Sequence, residues 1–208
     1  NMSHEIRTPL NGVIGFSDLL MKTPLSETQL QYMKTVYHSA HSLLDLINDI
    51  LDFSKIEAGK MELSIDKVDI FELGTQVADI INYQAHSKGL ELILNLSPHL
   101  PRFVYGDDIR IRQVLVNLLT NAIKFTHKGE VELKVEILED APNNETIKFR
   151  FSVKDTGIGI SLDKQLKIFD AFSQEDASTT RKFGGTGLGL TISNKVLGLM
   201  GSKLELKS

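Results

Sequence analysis

The chain has 208 residues, 23 Lys and Arg against 27 Asp and Glu, a net charge of -4 and no cysteine. That length holds one large domain or two modest ones, and so mild a charge implies no nucleic acid or other polyanion as partner. The missing cysteines exclude a disulfide framework and a thiolate site, and no apolar run approaches the ~18 residues that span a bilayer, nor is there a signal peptide, so a soluble chain in a reducing compartment is expected.

The first predicted element is a helix that opens on Ser3-His4-Glu5-Ile6-Arg7-Thr8-Pro9-Leu10. From Ile6, the positions Leu10, Val13, Ser17 and Leu20 recur at steps of four and three and stay within about 40° of one line, the seam of a helical bundle. His4 falls about 160° from that line, on a face shared with Thr8, Asn11 and Gly15. It should therefore be reachable by a second domain. A lone histidine is more often a solvated surface residue, so His4 needs support from elsewhere in the chain. Pro9 removes an amide donor and should kink the helix just past His4, although a tolerated kink without function explains it equally well. Sequence upstream of Asn1 is expected, because the chain opens less than a turn before His4.

After the loop Thr23-Pro24-Leu25, Ser26 and Gln29 form a capping-box pattern for a second helix. That helix carries Met33, Tyr37, Ala40, Leu44, Ile47, Leu51 and Ser54 at the same spacing, widened by Val36, Leu43 and Ile50. A hairpin with apolar surface on several flanks is marginal alone, so pairing with a second copy into a four-helix bundle is expected. Gly59 is the natural terminator, which puts a helical domain at 1–59 and a second domain at 60–208.

Beyond it, short strands alternate with helices. Strands are predicted near Met61 to Ile65, Leu90 to Leu96, Val131 to Leu138 and Thr146 to Lys154; helices near Ile70 to Ser87, Asp108 to Lys124, Leu162 to Phe169 and Leu188 to Met200. The fold class is thus α+β, a helical hairpin followed by an α/β sandwich with helices on one face of a mixed sheet.

Three motifs in the second domain invite a chemical reading. Gln113, Asn117, Asn121 and Lys124 form a polar ridge on an otherwise apolar helix, and the two asparagines stack one turn apart. Asparagine is a poor helix residue; its amide oxygen is a hard neutral ligand for Mg²⁺, and Lys124 would neutralise phosphate charge. A solvated polar face is the plain alternative. Asp155-Thr156-Gly157-Ile158-Gly159-Ile160 follows a strand, where a carboxylate can accept from an exocyclic amine and glycines admit a flat ring, though such a turn is more often a connector. Gly184-Gly185-Thr186-Gly187-Leu188-Gly189-Leu190 opens the last helix and offers amides to an anion. It is neither a Walker loop nor a dinucleotide fingerprint. The polar stretch from Ser173 to Lys182 reads as a lid over a phosphate, or as an ordinary loop.

Taken together these residues resemble the catalytic core of a sensor histidine kinase of the kind found in hybrid two-component systems. The histidine box is Ser3 to Leu10, the asparagine box Asn117 to Phe125, and the first glycine box Asp155 to Ile160. The phenylalanine box is Ile168-Phe169-Asp170-Ala171-Phe172 and the second glycine box Gly185 to Leu190. All five stand in the expected order across nearly the whole chain.

The resemblance implies a homodimeric phosphoacceptor hairpin followed by an ATP-binding sandwich, with ATP and Mg²⁺ as cofactors and a response-regulator receiver domain as partner. It implies that His4 attacks the γ-phosphate, that Glu5 acts beside it, and that Thr8 positions water for dephosphorylating the receiver. Asn121 would hold Mg²⁺, Asn117 and Lys124 would touch phosphates, and Asp155 would read adenine. Phe125, Gly157, Gly159, Ile160, Phe172, Gly185, Thr186, Gly187, Leu188 and Gly189 complete the expected ATP site. Arg181 stands in for a lid residue that touches phosphate in many relatives. A cytoplasmic location is expected, including as the cytoplasmic part of a membrane-bound sensor, as is a final strand beyond Ser208. Since roughly three quarters of a free histidine is already neutral at pH 7, Glu5 is better suited to orient the ring than to generate the nucleophile. An amide at Asn117 cannot take a proton from water, which favours transfer over hydrolysis. Two other readings are a plain ATPase of the related fold and a degenerate ATP-binding module that signals by conformation.

Overall fold

In the computed structural model, residues 2–140, 147–165, 167–170 and 187–208 are described, and they fall into two compact units, Asn1–Met61 and Glu62–Ser208. Helix α1 spans Met2–Met21 and α2 spans Glu27–Glu57. The capping box at the start of α2 forms as its spacing predicts, with Ser26 Oγ accepting from the Gln29 amide at 3.3 Å and Gln29 Oε1 from the Ser26 amide at 2.9 Å. Antiparallel pairing is marked by Arg7 Nη2 donating to Asn48 Oδ1 at 3.1 Å. Helix α1 continues through Pro9 without a break.

Within one copy only Leu10 and Ser17 of the expected seam of α1 are shielded. Leu10, Ile14, Ser17 and Met21 form the helix's shielded line, while Ile6, Val13 and Leu20 are 41 to 45% exposed. One neighbouring helix covers only a narrow stripe, so the rest of a broad apolar face stays open. On α2 the expected line is shielded from Met33 through Tyr37, Ala40, Leu44 and Ile47 to Leu51, but its last member, Ser54, is exposed, as are Val36, Leu43 and Ile50.

The second unit is built on a three-stranded sheet of β2 (Glu91–Leu96), β4 (Glu130–Asp140) and β5 (Ile147–Asp155), in the order β2-β4-β5. Strand β4 runs parallel to β2 and antiparallel to β5, so the sheet is mixed. Alternation along β4 sends Val131, Leu133 and Val135 into the core, all at most 1% exposed, and leaves Glu132, Lys134 and Glu136 on the opposite face. Helices α3 (Ile70–Ser87) and α4 (Asp108–Phe125) meet the inward residues through Leu73, Val77 and Ile81 and through Leu115, Leu119 and Ile123. Burying each such side chain contributes about 1.5–3 kcal/mol, the main source of this unit's stability. Helix α6 (Gly189–Leu199) packs beside α4, with Ile192 and Val196 buried.

Two expectations need correction. No strand forms at Met61 to Ile65: the Ser64 amide bonds to Asp107 Oδ2 at 2.9 Å and Ile65 is exposed, so that alternation has no sheet partner. Instead β1 (Asp66–Asp69) pairs antiparallel with β3 (Phe103–Gly106), a two-stranded ribbon absent from the sequence reading. The helix expected at Leu162 to Phe169 shortens to one turn, α5 (Leu162–Gln165), and a separate 3-10 turn at Lys167–Phe169. The Phe169 carbonyl accepts from Thr191 Oγ1 at 2.9 Å, which ties this turn to α6.

Candidate functional site

The asparagine ridge is set by the start and end of α4. Asp107, 3% exposed, is its N-cap, accepting from the Arg110 amide through Oδ1 and from the Ser64 amide through Oδ2, both at 2.9 Å. At the other end Lys88 Nζ donates to the carbonyls of Ile123 and Lys124 at 2.8 and 3.0 Å. A cation on the last carbonyls satisfies acceptors that a helix leaves open and complements its dipole. Between these anchors the apolar side of α4 is fixed in the core, so Asn117, Asn121 and Lys124 have a defined direction.

Asn117 and Asn121 are half-buried and joined, with Asn121 Nδ2 donating to Asn117 Oδ1 at 3.4 Å. Asn117 Nδ2 donates in turn to Ser193 Oγ of α6 at 2.9 Å. Gly189, at the head of α6, lies flush against the same amide, and a Cβ there would collide with Asn117 Oδ1. The N-cap position of α6 is Leu188, which makes no side-chain capping bond. Ridge and helix N-terminus thus form one wall. Lys124 Nζ lies 5.0 Å from the Phe125 ring centroid, and burial pushes its ammonium below the usual lysine range. An anion beside it would favour the charged form.

The Asp155 turn lies at the far end of α4. Asp155 Oδ1 accepts from the Gly157 amide at 2.8 Å. A Cβ on Gly157 would stand 2.6 Å from the Phe125 carbonyl oxygen and 2.7 Å from Asp155 Oδ1, so only glycine lets this turn approach the end of α4. Thr156 Oγ1 accepts from the Glu130 amide at 3.0 Å, fastening the turn to β4. Gly159 has φ +69°, a conformation that side chains disfavour, and the Ile160 amide bonds to Ser208 Oγ at 2.6 Å.

Asn117, Asn121, Lys124, Phe125, Asp155, Gly157, Gly159, Ile160, Gly187, Leu188 and Gly189 thus all belong to the second unit. Phe172, Arg181, Gly185 and Thr186 lie outside the described residues, as does the segment read as a lid. His4, Glu5 and Thr8 stand in the first turns of α1 in the other unit, with Glu5 and Thr8 exposed. Two residues that the motifs did not single out, Thr191 and Ser193, are 5 and 2% exposed and bond to the 3-10 turn and to Asn117. Their signal is two hydroxyls within Leu190-Thr191-Ile192-Ser193, where an apolar helix would otherwise be written with Ala or Val.

Comparison with known proteins gives this geometry its class. Residues 1–59 match the His Kinase A (phospho-acceptor) domain, and residues 106–208 match the family described as Histidine kinase-, DNA gyrase B-, and HSP90-like ATPase. The chain belongs to the sensor histidine kinase family. The signal transduction histidine-protein kinase BarA of Escherichia coli is 45% identical over 208 residues, covering 100% of this chain and 22% of that protein. The sensor histidine kinase GacS of Pseudomonas protegens is likewise 45% identical, again over 100% of this chain and 22% of its own length. Among solved structures, full-length ShkA in complex with AMPPNP aligns with a TM-score of 0.76 at 40% identity, over 96% of this chain and 40% of that one. The chain therefore spans under a quarter of the curated relatives' length. Among the described residues no helix is long and apolar enough to cross a membrane.

Proposed function

We propose that this chain phosphorylates itself on His4 from ATP and that the phosphoryl group then passes to an aspartate of a response-regulator receiver domain. A neutral imidazole nitrogen attacks the γ-phosphorus, the bond to the β–γ bridging oxygen breaks, and ADP leaves with that electron pair. An aspartate oxygen of the receiver later attacks the same phosphorus and the P–N bond breaks. Glu5 orients the imidazole and stabilises the cation that forms as the P–N bond develops, and Thr8 positions water when the receiver is dephosphorylated.

The observation that carries this reading is the single wall made by Asn117, Asn121 and the head of α6, continuous along α4 with the Asp155–Gly157 turn. Adenine lies at Asp155, Gly157, Gly159 and Ile160, against Phe125. The phosphates lie along Asn117 and Lys124 and at the amides of Gly187 to Gly189, and the resemblance adds Arg181 as a further phosphate contact and Phe172, Gly185 and Thr186 to the ATP site. The donor set also fits Mg²⁺. An amide oxygen is a hard neutral ligand, and Mg²⁺ characteristically takes few protein oxygens, completing its shell with waters and substrate phosphates. Asn121 Oδ1 would be the protein ligand, and Mg²⁺ held there would neutralise charge on the phosphates. Asn117, whose Nδ2 is a donor to Ser193, has no group that accepts a proton from water, which supports transfer to histidine over hydrolysis.

The open stripes of the hairpin, Ile6, Val13 and Leu20 on α1 and Val36, Leu43 and Ile50 on α2, each recur every seven residues. They support a four-helix homodimer through 1–59, with 60–208 as the ATP-binding domain. The location proposed is cytoplasmic. The test is incubation with γ-labelled ATP and Mg²⁺ for wild type and His4→Gln. Acid-labile, base-stable label should appear in wild type and vanish in the variant. Label that persists in His4→Gln overturns the assignment, and free phosphate without labelled protein points to an ATPase.

A further inference from the structure

We infer that Thr156 is a positioning residue for adenine recognition, its hydroxyl locking the end of β5 to the start of β4 and so holding the Asp155 carboxylate where the base is read. The inference rests on the adenine role given to Asp155 above. In the β4–β5 register Asp155 stands opposite Val131, the end pair of the ladder, so it shares the helix-covered face of the sheet with Phe151 and Val153. A slip of one residue would turn it to the open face. Strand ends are where fraying begins, and Asp155 is the last residue of β5. Just past it, the Thr156 amide still bonds to the Glu130 carbonyl at 3.2 Å, and the Thr156 side chain adds a second grip on the same segment.

That grip has a single sense. Oγ1 accepts from the Glu130 amide at 3.0 Å, and the carbonyls of Lys128 and Glu130, each at 3.3 Å, are the acceptors for its proton. A backbone amide only donates and a carbonyl only accepts, so these partners fix the direction of every bond and no reversed arrangement exists. The anchor is itself tied down, since the Gly129 carbonyl accepts from the Glu91 amide of β2 at 3.0 Å. Gly129 has φ +112°, and a Cβ there would collide with Thr156 Oγ1, so only glycine admits the hydroxyl at this point. On the other side of Thr156 the turn closes through the bond from the Gly157 amide to Asp155 Oδ1, which leaves Oδ2 to accept from an exocyclic amine. Without the hydroxyl the turn keeps its backbone bond to Glu130 and loses the rest, and the carboxylate is less closely aimed. A threonine that merely ended the strand would support every nucleotide equally.

The experiment uses the full chain without Mg²⁺, so that no phosphoryl transfer intervenes. Calorimetry measures affinity for ATP and for purine riboside triphosphate, which lacks the exocyclic amine, in wild type, Thr156→Val, Thr156→Ser and Asp155→Ala. Thr156 is exposed, so the isosteric valine leaves the core untouched. Thr156→Val should weaken ATP about three- to tenfold, the loss when one net hydrogen bond goes unmade, and the amine-free nucleotide by less than about twofold. Thr156→Ser keeps the hydroxyl and should bring ATP back to within about twofold of wild type. Equal losses for the two nucleotides in Thr156→Val, or a serine variant as weak as the valine one, overturn the inference. Asp155→Ala serves as the reference for the adenine reading and should abolish the preference for ATP. If the preference survives there, that reading fails, and exchange of the Gly157 amide proton in nucleotide-free protein decides the positioning role. Exchange quickened severalfold in Thr156→Val but not in Thr156→Ser upholds it, and any other pattern removes it.

Discussion

Among the described residues of the helical unit, Ala40 and the terminal Met61 are the buried apolar side chains and Ser17 the buried polar one, while Phe16, Leu19 and Tyr32 are 59 to 71% exposed. In the α/β unit Val77, Ile81, Leu119, Val131 and Val196 are sealed completely. Both units have amphipathic helices, yet one closes its core within the chain and the other does not. The difference teaches that the α/β unit encloses a core from its own residues, and the open face of the hairpin supports the homodimer proposed above.

The sharpest test of that contrast is a leucine in each unit. Leu119→Ala removes a wholly buried side chain from α4 and should cost about 2–5 kcal/mol in denaturant unfolding, independent of protein concentration. Dependence on concentration, or a loss below about 1 kcal/mol, contradicts a closed core. Leu43→Asp places a charge on a residue 48% exposed in a single copy, so the hairpin's own packing should hardly notice it. Dimerisation should weaken by about 2 kcal/mol or more, roughly thirtyfold in dissociation constant, when a position in a dimer's apolar seam is lost. Sedimentation across a concentration series reads this directly, and an unaltered dissociation constant removes α2 from the interface.

How much was legible in sequence follows the same division. Periodicity found both helices of the hairpin and the Ser26–Gln29 cap, because these are local patterns that the backbone itself satisfies. It gave the apolar face of α1 but not which part of that face the second helix of the same copy covers, Leu10 and Ser17 being shielded and Ile6, Val13 and Leu20 open. In the α/β unit, β2, β4 and β5 stand close to their expected positions. The β1–β3 ribbon was missed because Asp66-Lys67-Val68-Asp69 and Phe103-Val104-Tyr105-Gly106 are short, and their pairing joins segments distant in the chain. The boxes identified Asn117, Asn121, Asp155 and Gly189 as candidates. They did not show that Ser193, one turn into α6, bonds to Asn117, because that contact depends on how two helices pack.

The smallest expected effect concerns what fastens the ribbon to the core of the α/β unit. Asp69 ends β1 and caps α3, its Oδ1 accepting from the amides of Phe71 and Glu72 at 3.0 and 3.1 Å and its Oδ2 from Arg102 Nε at 2.8 Å. The Arg102 guanidinium, with help from the Glu72 and Phe71 amides, holds this carboxyl below the ordinary aspartate range. A carboxylate whose folded pKa is depressed contributes stability that is fully present above its unfolded value, about 3.9, and is lost as pH falls through the lower folded value. Asparagine caps helices as well as aspartate does, so Asp69→Asn removes the charge and keeps the cap. The stability difference between wild type and variant should be constant from neutral pH to about 4 and shrink below it, as wild type also loses the charge. Arg102 is well exposed, so the difference itself should be small and fall with added salt. A difference that persists undiminished to about pH 2 shows that the carboxylate's charge plays no part, leaving the ribbon fastened by the cap and by Val68 and Val104 alone.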